Sequence, residues 1–327
     1  MKQKLILALL ITLVMATDLS AQGLLGLFGG GNDSKKPIRV QFIEGDENAA
    51  EEILLIRIKG VIQESDDEER MPFKMEKDQF ESLKKDLEAA RKRNAIKAIL
   101  IEINSPGGEV TASDVMYHLI KRTREETKKP VVALIGTMGA SGAYYVACAA
   151  EKILAHPTSI IGSIGVLMQA MNVQQLAEKI GFKAITLKSD KTPMKDVLSP
   201  FKEMSEQEKA MLLQIINGIY DRFVEIVSAS RKIKKEDVIK IADGGIYSAE
   251  KAKELGLIDE IGYREDAMDE ACTLAGIKSA ALVKRVTRKS FSEIFAEINE
   301  VSSGIPALTS ELRTLLQFGP TPVMMFK

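Results

Sequence analysis

The chain has 327 residues, and its 45 basic and 46 acidic side chains leave a formal net charge of -1 at pH 7. A chain of this length can bury a large core, and its balanced charge provides no basic surface for nucleic acid, which is therefore not an expected partner. Two cysteines and two histidines are too few for a disulfide framework or a histidine-rich metal site. We expect Cys148 and Cys272 to be buried as small apolar residues, and we expect neither a metal nor a cofactor.

The N-terminus has the pattern of an export signal. Lys2 and Lys4 precede an apolar run from Leu5 to Ala16, which is short for a bilayer span, and small residues follow up to Ala21. Residues 1–21 are therefore predicted to be a signal peptide or an N-terminal membrane anchor, and removal after Ala21 and retention both stay open. In either case the rest of the chain is expected outside the cytosol.

Alternating strand, turn and helix patterns follow. Residues 22–51 predict a linker and a first strand, residues 52–276 the main domain, and residues 277–327 a C-terminal helical extension with a tail. The repeated β-turn-α pattern predicts an α/β fold with a sheet that is covered on both faces. The predicted strands cover 53–58, 95–104, 131 onward, a short piece after 152, 184–187 and 257–261. The predicted helices cover 81–93, 113–126, 141 onward, 173–180, 205–231, 235–242, 249–254, 265–275 and 291–301.

Two glycine-rich turns follow two of the predicted strands. They are Asn104 to Gly108 (NSPGG) and Gly136 to Ala140 (GTMGA), and the second leads directly to Ser141 at the start of a helix. Open α/β sheets place their sites at the carboxyl ends of strands, and the first N–H groups of a helix attract an anion. Ser141 is thus a candidate nucleophile, although serine is also a favoured N-cap residue.

Four motifs in this order resemble the signal peptide peptidase A family of serine peptidases, which is related in fold to the Clp protease and to crotonases. They are NSPGG at 104–108, GASGAYY at 139–145, HPTSIIGSIGV at 156–166 and KDVLSPF at 195–201. The resemblance covers roughly residues 53–274. It implies a Clp protease/crotonase-like spiral of β-turn-α units.

The resemblance also implies roles for single residues. Ser141 would be the nucleophile, Lys195 the general base, Ser163 the side chain that orients the lysine, and Gly108 and Gly142 the oxyanion donors. Acyl transfer needs these three kinds of group, a nucleophile, a neutral base and donors aimed at the developing oxyanion. The alternatives are ordinary ones: Gly108 as a plain strand-ending turn and Ser163 as a turn-forming serine.

The base is a lysine or a histidine. His118 falls inside a predicted helix, far from either glycine turn, and His156 sits where the resembled family has no catalytic residue. A lysine acts as a base when burial lowers its pKa from about 10.4 toward 7–8. Lys195 matches the family position, but the segment before it is longer than the family pattern and carries Asp190 where a glycine is usual. Lys191 therefore remains a competitor.

The function implied by the resemblance is that of a serine endopeptidase with a Ser/Lys dyad. Its substrates would be released signal peptides and other unfolded, apolar-rich peptides at the extracytoplasmic (periplasmic) membrane surface. A homo-oligomeric ring of about eight protomers is implied, with serine and lysine from adjacent protomers. The apolar end, residues 322–326, is expected to dock on a protein surface. Two rival functions are a crotonase-type acyl-CoA enzyme and a non-catalytic membrane-assembly scaffold.

Overall fold

A computed structural model of the protein describes residues 38–64 and 79–286. The predicted export segment 1–21, the predicted helix 291–301 and the apolar end 322–326 lie outside the described residues. The compact body that contains the site begins at Arg39.

Strands and helices alternate along the described residues, as the sequence pattern predicts. The strands are β1 (Val40–Gly45), β2 (Glu52–Lys59), β3 (Ile96–Ser105), β4 (Val131–Ala140), β5 (Lys152–Ala155), β6 (Ile160–Gly162), β7 (Ile246–Ser248), β8 (Glu260–Ile261) and β9 (Ala281–Arg285). The helices are α1 (Gln79–Lys92), α2 (Val110–Thr127), α3 (Gly142–Ala147), α4 (Gln174–Lys179), α5 (Glu206–Arg231), α6 (Lys235–Ile241), α7 (Ala249–Glu254) and α8 (Arg264–Ala275), and a 3-10 turn spans Pro193–Asp196.

The strands of the described residues form one sheet in the order β1-β9-β2-β3-β4-β5-β8. Strand β4 has two partners on one side, because its first half pairs with β5 and its last residues pair with β6, which in turn pairs with β7. All pairs are parallel except β1 with β9 and β6 with β7. The predicted α/β class and its β-turn-α units are confirmed, and the sheet takes in residues on both sides of the predicted 52–276 range.

Both faces of the sheet are covered. The larger apolar cluster lies between the sheet and helices α1 to α3, the C-terminal half of α5, and α6 and α7. The smaller cluster lies on the other face and is closed by α8. Because β3 contributes to both clusters, its apolar run from Ala98 to Ile101 is buried, as predicted. Cys148 and Cys272 are both buried, which confirms that expectation.

One predicted strand is wrong. Residues 184–187 have the β-branched and apolar pattern of a strand, but in the structure they have no strand partner. Ile185 and Leu187 are 78% and 93% exposed. A short apolar run becomes a strand only where a neighbouring backbone pairs with it, and none of the described residues does so here.

These residues belong to a longer segment, residues 165–215, that we call the exposed arm. It contains α4, the 3-10 turn and the first turns of α5, and Leu167 near its start is 82% exposed. Many of its large apolar side chains are exposed: Met168, Met171, Leu176, Ile180, Phe182, Leu198, Phe201, Met204, Leu213 and Ile215. Exposed apolar surface of this extent marks a contact site.

Among the described residues, no helix is both long enough and apolar enough to span a bilayer.

A network of charged side chains connects strand β1 and helix α8 to strands β2 and β3 at the centre of the sheet. Glu102 on β3 accepts hydrogen bonds from Arg57 Nε on β2 (2.9 Å) and from Arg264 Nε on α8 (2.5 Å). Arg264 also donates to Glu44 on β1, 3.0 Å away. Burial raises the pKa of Glu102, but the hydrogen bonds from Arg57 and Arg264 outweigh it and lower that pKa below its ordinary value.

We predict that Glu102→Gln lowers the free energy of unfolding by roughly 1–3 kcal/mol at neutral pH, because two charge-assisted hydrogen bonds weaken at a side chain that is 16% exposed. A lowered folded-state pKa contributes stability above the unfolded value of about 4.3 and loses it as the pH falls through the folded value. The difference between wild type and variant in urea unfolding should therefore shrink in acid. The control is Glu81→Gln, at an exposed pair with Lys84. An equal effect of both substitutions would contradict this prediction.

Candidate active site

The first part of the site is the glycine turn after β3. Gly107 has φ 96° and Gly108 has φ 158°, backbone values that residues with a side chain rarely adopt. The Gly107 N–H donates to the buried hydroxyl of Ser105, 3.1 Å away. The last residue of the strand thus fixes the turn that follows it.

Ile62 holds the same turn from the other side. Its N–H donates to the Gly107 carbonyl (2.8 Å), and its carbonyl accepts the Glu109 N–H (2.7 Å). A Cβ on Gly108 would lie 1.9 Å from the Ile62 carbonyl oxygen. Glycine is therefore required at position 108.

The second part is the sharp corner at Ser141, between β4 and α3. Ser141 has φ 52° and ψ −126°, which is a strained conformation for a serine. Its N–H donates to the Gly162 carbonyl (2.8 Å), and its carbonyl accepts the Tyr145 N–H (3.0 Å). The residue occupies the N-cap position of α3, but its hydroxyl makes no capping hydrogen bond. The alternative role as an N-cap therefore does not explain this serine.

The two parts touch. A Cβ on Gly107 would lie 2.6 Å from the Gly142 nitrogen and 3.0 Å from Ser141 Cβ, and a Cβ on Gly142 would lie 3.3 Å from the Gly108 nitrogen. Among the described residues, neither the Gly108 N–H nor the Gly142 N–H has a hydrogen-bond acceptor. Two unpaired donors thus lie close together beside a half-buried serine, which is the arrangement that stabilises an oxyanion.

Ser163 comes to the same edge of the sheet. It directly follows β6, whose last residue, Gly162, accepts the Ser141 N–H. Ser163 has φ 50°, and its own N–H donates to the Gly245 carbonyl, 2.6 Å away. The backbone directly before Ser163 is therefore bonded to Ser141, and the Ser163 backbone itself is bonded to Gly245.

The candidate lysines lie elsewhere, on the exposed arm. Lys195 is part of the 3-10 turn, and Lys191 lies in the loop before it; both side chains are exposed. Within the described part of the chain, no hydrogen bond or ion pair joins either lysine to Ser141. The structure thus brings Ser141, Ser163, Gly108 and Gly142 to one edge of the sheet. Among the described residues, Lys195 makes no contact by hydrogen bond or ion pair with any of them.

Among the described residues, neither histidine makes a hydrogen bond to Ser141. His118 is exposed on α2, as predicted for a helix-face residue, and the His156 ring packs against Tyr263 with centroids 5.4 Å apart. Over residues 38–64 and 79–286, no group of three or more His, Cys, Asp or Glu side chains is arranged to hold a metal ion.

Sequence reasoning missed the side chains that support the site from α2. The Ser113 hydroxyl donates to the Glu109 carbonyl (2.8 Å) and fills the space beside Gly142. Asp114 accepts hydrogen bonds from the Tyr145 hydroxyl and from Arg222 Nη2, the latter at 2.6 Å. Burial, together with Asp114, raises the pKa of Tyr145, so its hydroxyl stays a donor. No local pattern reveals these contacts, because their partners are far apart in sequence.

Comparison with known proteins decides the family. The model of peptidase family S49 matches residues 123–278. The putative signal peptide peptidase SppA of Enterococcus faecium is 32% identical over 255 residues, which cover 78% of this chain and 71% of that protein. The chain belongs to peptidase family S49.

Other relatives are similar over a smaller share of their length, and the chain spans less than two thirds of two putative proteases that it matches at 40% and 41% identity. A putative protease of Methanocaldococcus jannaschii is 40% identical over 198 residues, which cover 61% of this chain and 62% of that protein. The chloroplastic serine protease SPPA of Arabidopsis thaliana is 32% identical over 69% of this chain and 32% of its own length. Among solved structures, a ClpP1 variant from Listeria monocytogenes aligns with 65% of this chain and 93% of its own, at 18% identity and a TM-score of 0.42.

The close contact at Gly142 gives a testable prediction. Gly142→Ala should lower the free energy of unfolding by roughly 1–3 kcal/mol, because the new Cβ overpacks the site. That Cβ would lie 2.3 Å from Ser113 Oγ. Ser113→Ala removes this oxygen and should restore part of the loss in the double variant. Chemical unfolding of the four proteins measures the coupling.

Gly218→Ala is the matched control, since nothing lies within 4 Å of a Cβ at this α5 position. It should be neutral or stabilising. Strictly additive effects of Gly142→Ala and Ser113→Ala would contradict the proposed contact.

Proposed function

We propose that this protein is a serine endopeptidase that works with a Ser141/Lys195 dyad. The observation that carries the proposal is the strained Ser141 corner beside the two unpaired N–H groups of Gly108 and Gly142. Membership of peptidase family S49 supports it, as do relatives that are named putative protease and putative signal peptide peptidase.

The reaction follows from the proposed roles. Ser141 Oγ attacks the peptide carbonyl carbon while the neutral Lys195 amine takes the hydroxyl proton. The N–H groups of Gly108 and Gly142 donate to the oxyanion of the tetrahedral intermediate. Lys195 then gives its proton to the leaving amine, and it later activates the water that hydrolyses the acyl-enzyme. Ser163 accepts a hydrogen bond from the lysine ammonium and so orients it, much as an aspartate orients a catalytic histidine.

We further propose that Ser141 and Lys195 meet across an interface between two copies of the chain. Two features support this: among the described residues of one chain Lys195 makes no hydrogen bond to Ser141, and the exposed arm carries a large apolar surface. Each copy offers its serine side to the next copy's lysine side, so the contact is heterologous and closes into a ring of about eight protomers.

The proposed substrates are released signal peptides and other unfolded, apolar-rich peptides. A ring admits extended segments and keeps folded proteins away from the dyad. The export pattern of residues 1–21 supports work at the extracytoplasmic, periplasmic side of a membrane, whether this segment is cleaved or retained. The name of the Enterococcus faecium relative supports the same substrate class.

Labelling with a serine-directed fluorophosphonate tests the central claim. We expect the wild-type protein to be labelled at Ser141 and the Ser141→Ala variant to remain unlabelled, because only an activated serine reacts. Wild-type protein that is assembled but unlabelled would favour the non-catalytic scaffold. Binding of coenzyme A in calorimetry, without labelling, would favour an acyl-CoA enzyme.

The choice of base is tested by alanine substitution. Lys195→Ala should reduce peptide hydrolysis by at least about a hundredfold with the fold intact, because it removes the acceptor of the Ser141 proton. Wild-type activity should rise with pH through the folded-state pKa of the base and vanish in acid. Full activity of Lys195→Ala with loss of activity in Lys191→Ala would move the base to Lys191.

The shared site is tested by mixing two inactive variants, Ser141→Ala and Lys195→Ala, after dissociation and reassembly. If each site draws its serine and lysine from different copies, some interfaces in mixed assemblies contain both intact residues and activity returns. If both residues come from one chain, every mixture stays inactive. Mass analysis must show that both variants share one assembly before an inactive mixture is counted against the shared site.

A further inference from the structure

The exposed arm contains a network of charged and polar side chains around Asp196, which we call the Asp196 network: Lys188, Asp196, Lys202, Ser205 and Glu208. Lys188 Nζ donates to Asp196 Oδ1 (2.5 Å) and to the Pro193 carbonyl (2.7 Å). Lys202 Nζ lies 3.4 Å from the same Asp196 oxygen and also donates to Glu208. Asp196 thus lies between two cations.

The far end of the network is the start of α5. The Ser205 N–H donates to Glu208 Oε2 (2.9 Å), and the Glu208 N–H donates to Ser205 Oγ (3.3 Å), which is a complete capping box. The hydrogen bond from Lys202, followed by those from Ser205, lowers the pKa of Glu208 to about 2. The network therefore connects the 3-10 turn to the first turn of a long helix.

In the arm, two carboxylate side chains are largely buried and most large apolar side chains are exposed, which is the opposite of a protein core. The side chains of Asp196 and Glu208 are 15% and 4% exposed, while most large apolar side chains around them face solvent. Within a single chain, charge-assisted hydrogen bonds hold this part of the arm together, beside a contact between the Phe182 and Phe201 rings with centroids 5.5 Å apart.

The residues on both sides of Lys195 belong to this network, but the Lys195 side chain makes none of its hydrogen bonds. Its own N–H donates to the Thr192 carbonyl (3.1 Å), Pro193 before it is held by Lys188, and Asp196 after it is held by Lys188 and Lys202. No charged group among the described residues makes a hydrogen bond or an ion pair with the Lys195 ammonium. A free carboxylate next to it would favour the protonated form, which cannot act as a base.

We propose that the Asp196 network is a positioning device for Lys195. It fixes the turn on both sides of the lysine and pairs the adjacent carboxylate with two other cations, so that Lys195 is left without an anionic partner in the described part of the chain. The inference rests on the proposed role of Lys195 as the base.

The test uses opposite charge changes at the network. Lys202→Met removes a cation near Lys195 and so raises the pKa of the base. The pH at which activity rises, which we call the acid limb of the pH–activity profile, should therefore move up by roughly 0.5 pH unit. Asp196→Asn removes an anion, so the limb should move down by a similar amount. Both variants should lose roughly ten- to a hundredfold in kcat with little change in KM, because the base is misplaced. Lys202→Arg keeps the charge and should retain most of the activity.

Lys183→Met is the matched control, since Lys183 is an exposed lysine of the same arm and has no bonded partner among the described residues. It should move neither the limb nor kcat. Equal losses of kcat in Lys202→Met and Asp196→Asn, without opposite shifts of the limb, would overturn the positioning role and leave a merely structural one.

Hydrogen exchange in the Ser141→Ala background separates this proposal from the dyad. Lys202→Met should increase amide exchange over residues 188–204 by at least about tenfold, whereas Lys183→Met should not. Unchanged exchange would overturn the network even if Lys195→Ala is inactive. Full activity of Lys195→Ala would overturn the dyad and, with it, the role assigned to the network.

Discussion

The arrangement of the site depends on one close approach, that of the Gly107–Gly108 turn to the backbone of Ser141 and Gly142. A Cβ at either position of the turn, or at Gly142, would overlap a neighbouring atom. Two backbone segments that are distant in sequence can meet this closely only where side chains are missing. The strain in the Ser141 backbone persists because hydrogen bonds on both sides fix the residue.

Helix α2 connects the close approach of these backbone segments to the surrounding helices. It begins at Val110, directly after the glycine turn, and its first turns carry Ser113 against Gly142 and Asp114 against Tyr145 and Arg222. Arg222 lies on α5, so this contact connects α2 to α5. The last residue of α5, Arg231, is buried and forms a salt bridge with Asp259. The C-terminal half of α5 therefore packs in the larger apolar cluster, while its other end belongs to the exposed arm. One helix thus joins the packed core to the Asp196 network.

Much of this was predictable from local sequence. Apolar periodicity and the positions of glycines predict strands β2 to β5 and helices α1 to α5, but not the short strand β6. The two glycine turns predict that Gly108 and Ser141 lie at one sheet edge, whereas Ser163 was assigned from the family resemblance. The contact of Ile62 with Gly108 was not predictable, because it joins residues that share no local pattern. Residues 184–187 mislead for the same reason, since their strand-like composition has no neighbouring backbone to pair with. The Asp196 network could not be predicted either, because the sequence of this segment has the pattern of an ordinary solvent-exposed polar loop.

The strand order carries a consequence for how the chain folds. Strand β9 lies between β1 and β2, so β1 has no partner until residues 281–285 have been synthesised. The interior strands β2 to β5 can pair with one another as they emerge, but the β1 side of the sheet closes only at the end of the described chain. Non-local pairing of this kind slows folding and leaves a strand edge bare in the meantime. A nascent chain of this protein therefore exposes the edge of β2 throughout the synthesis of the helices that cover the sheet.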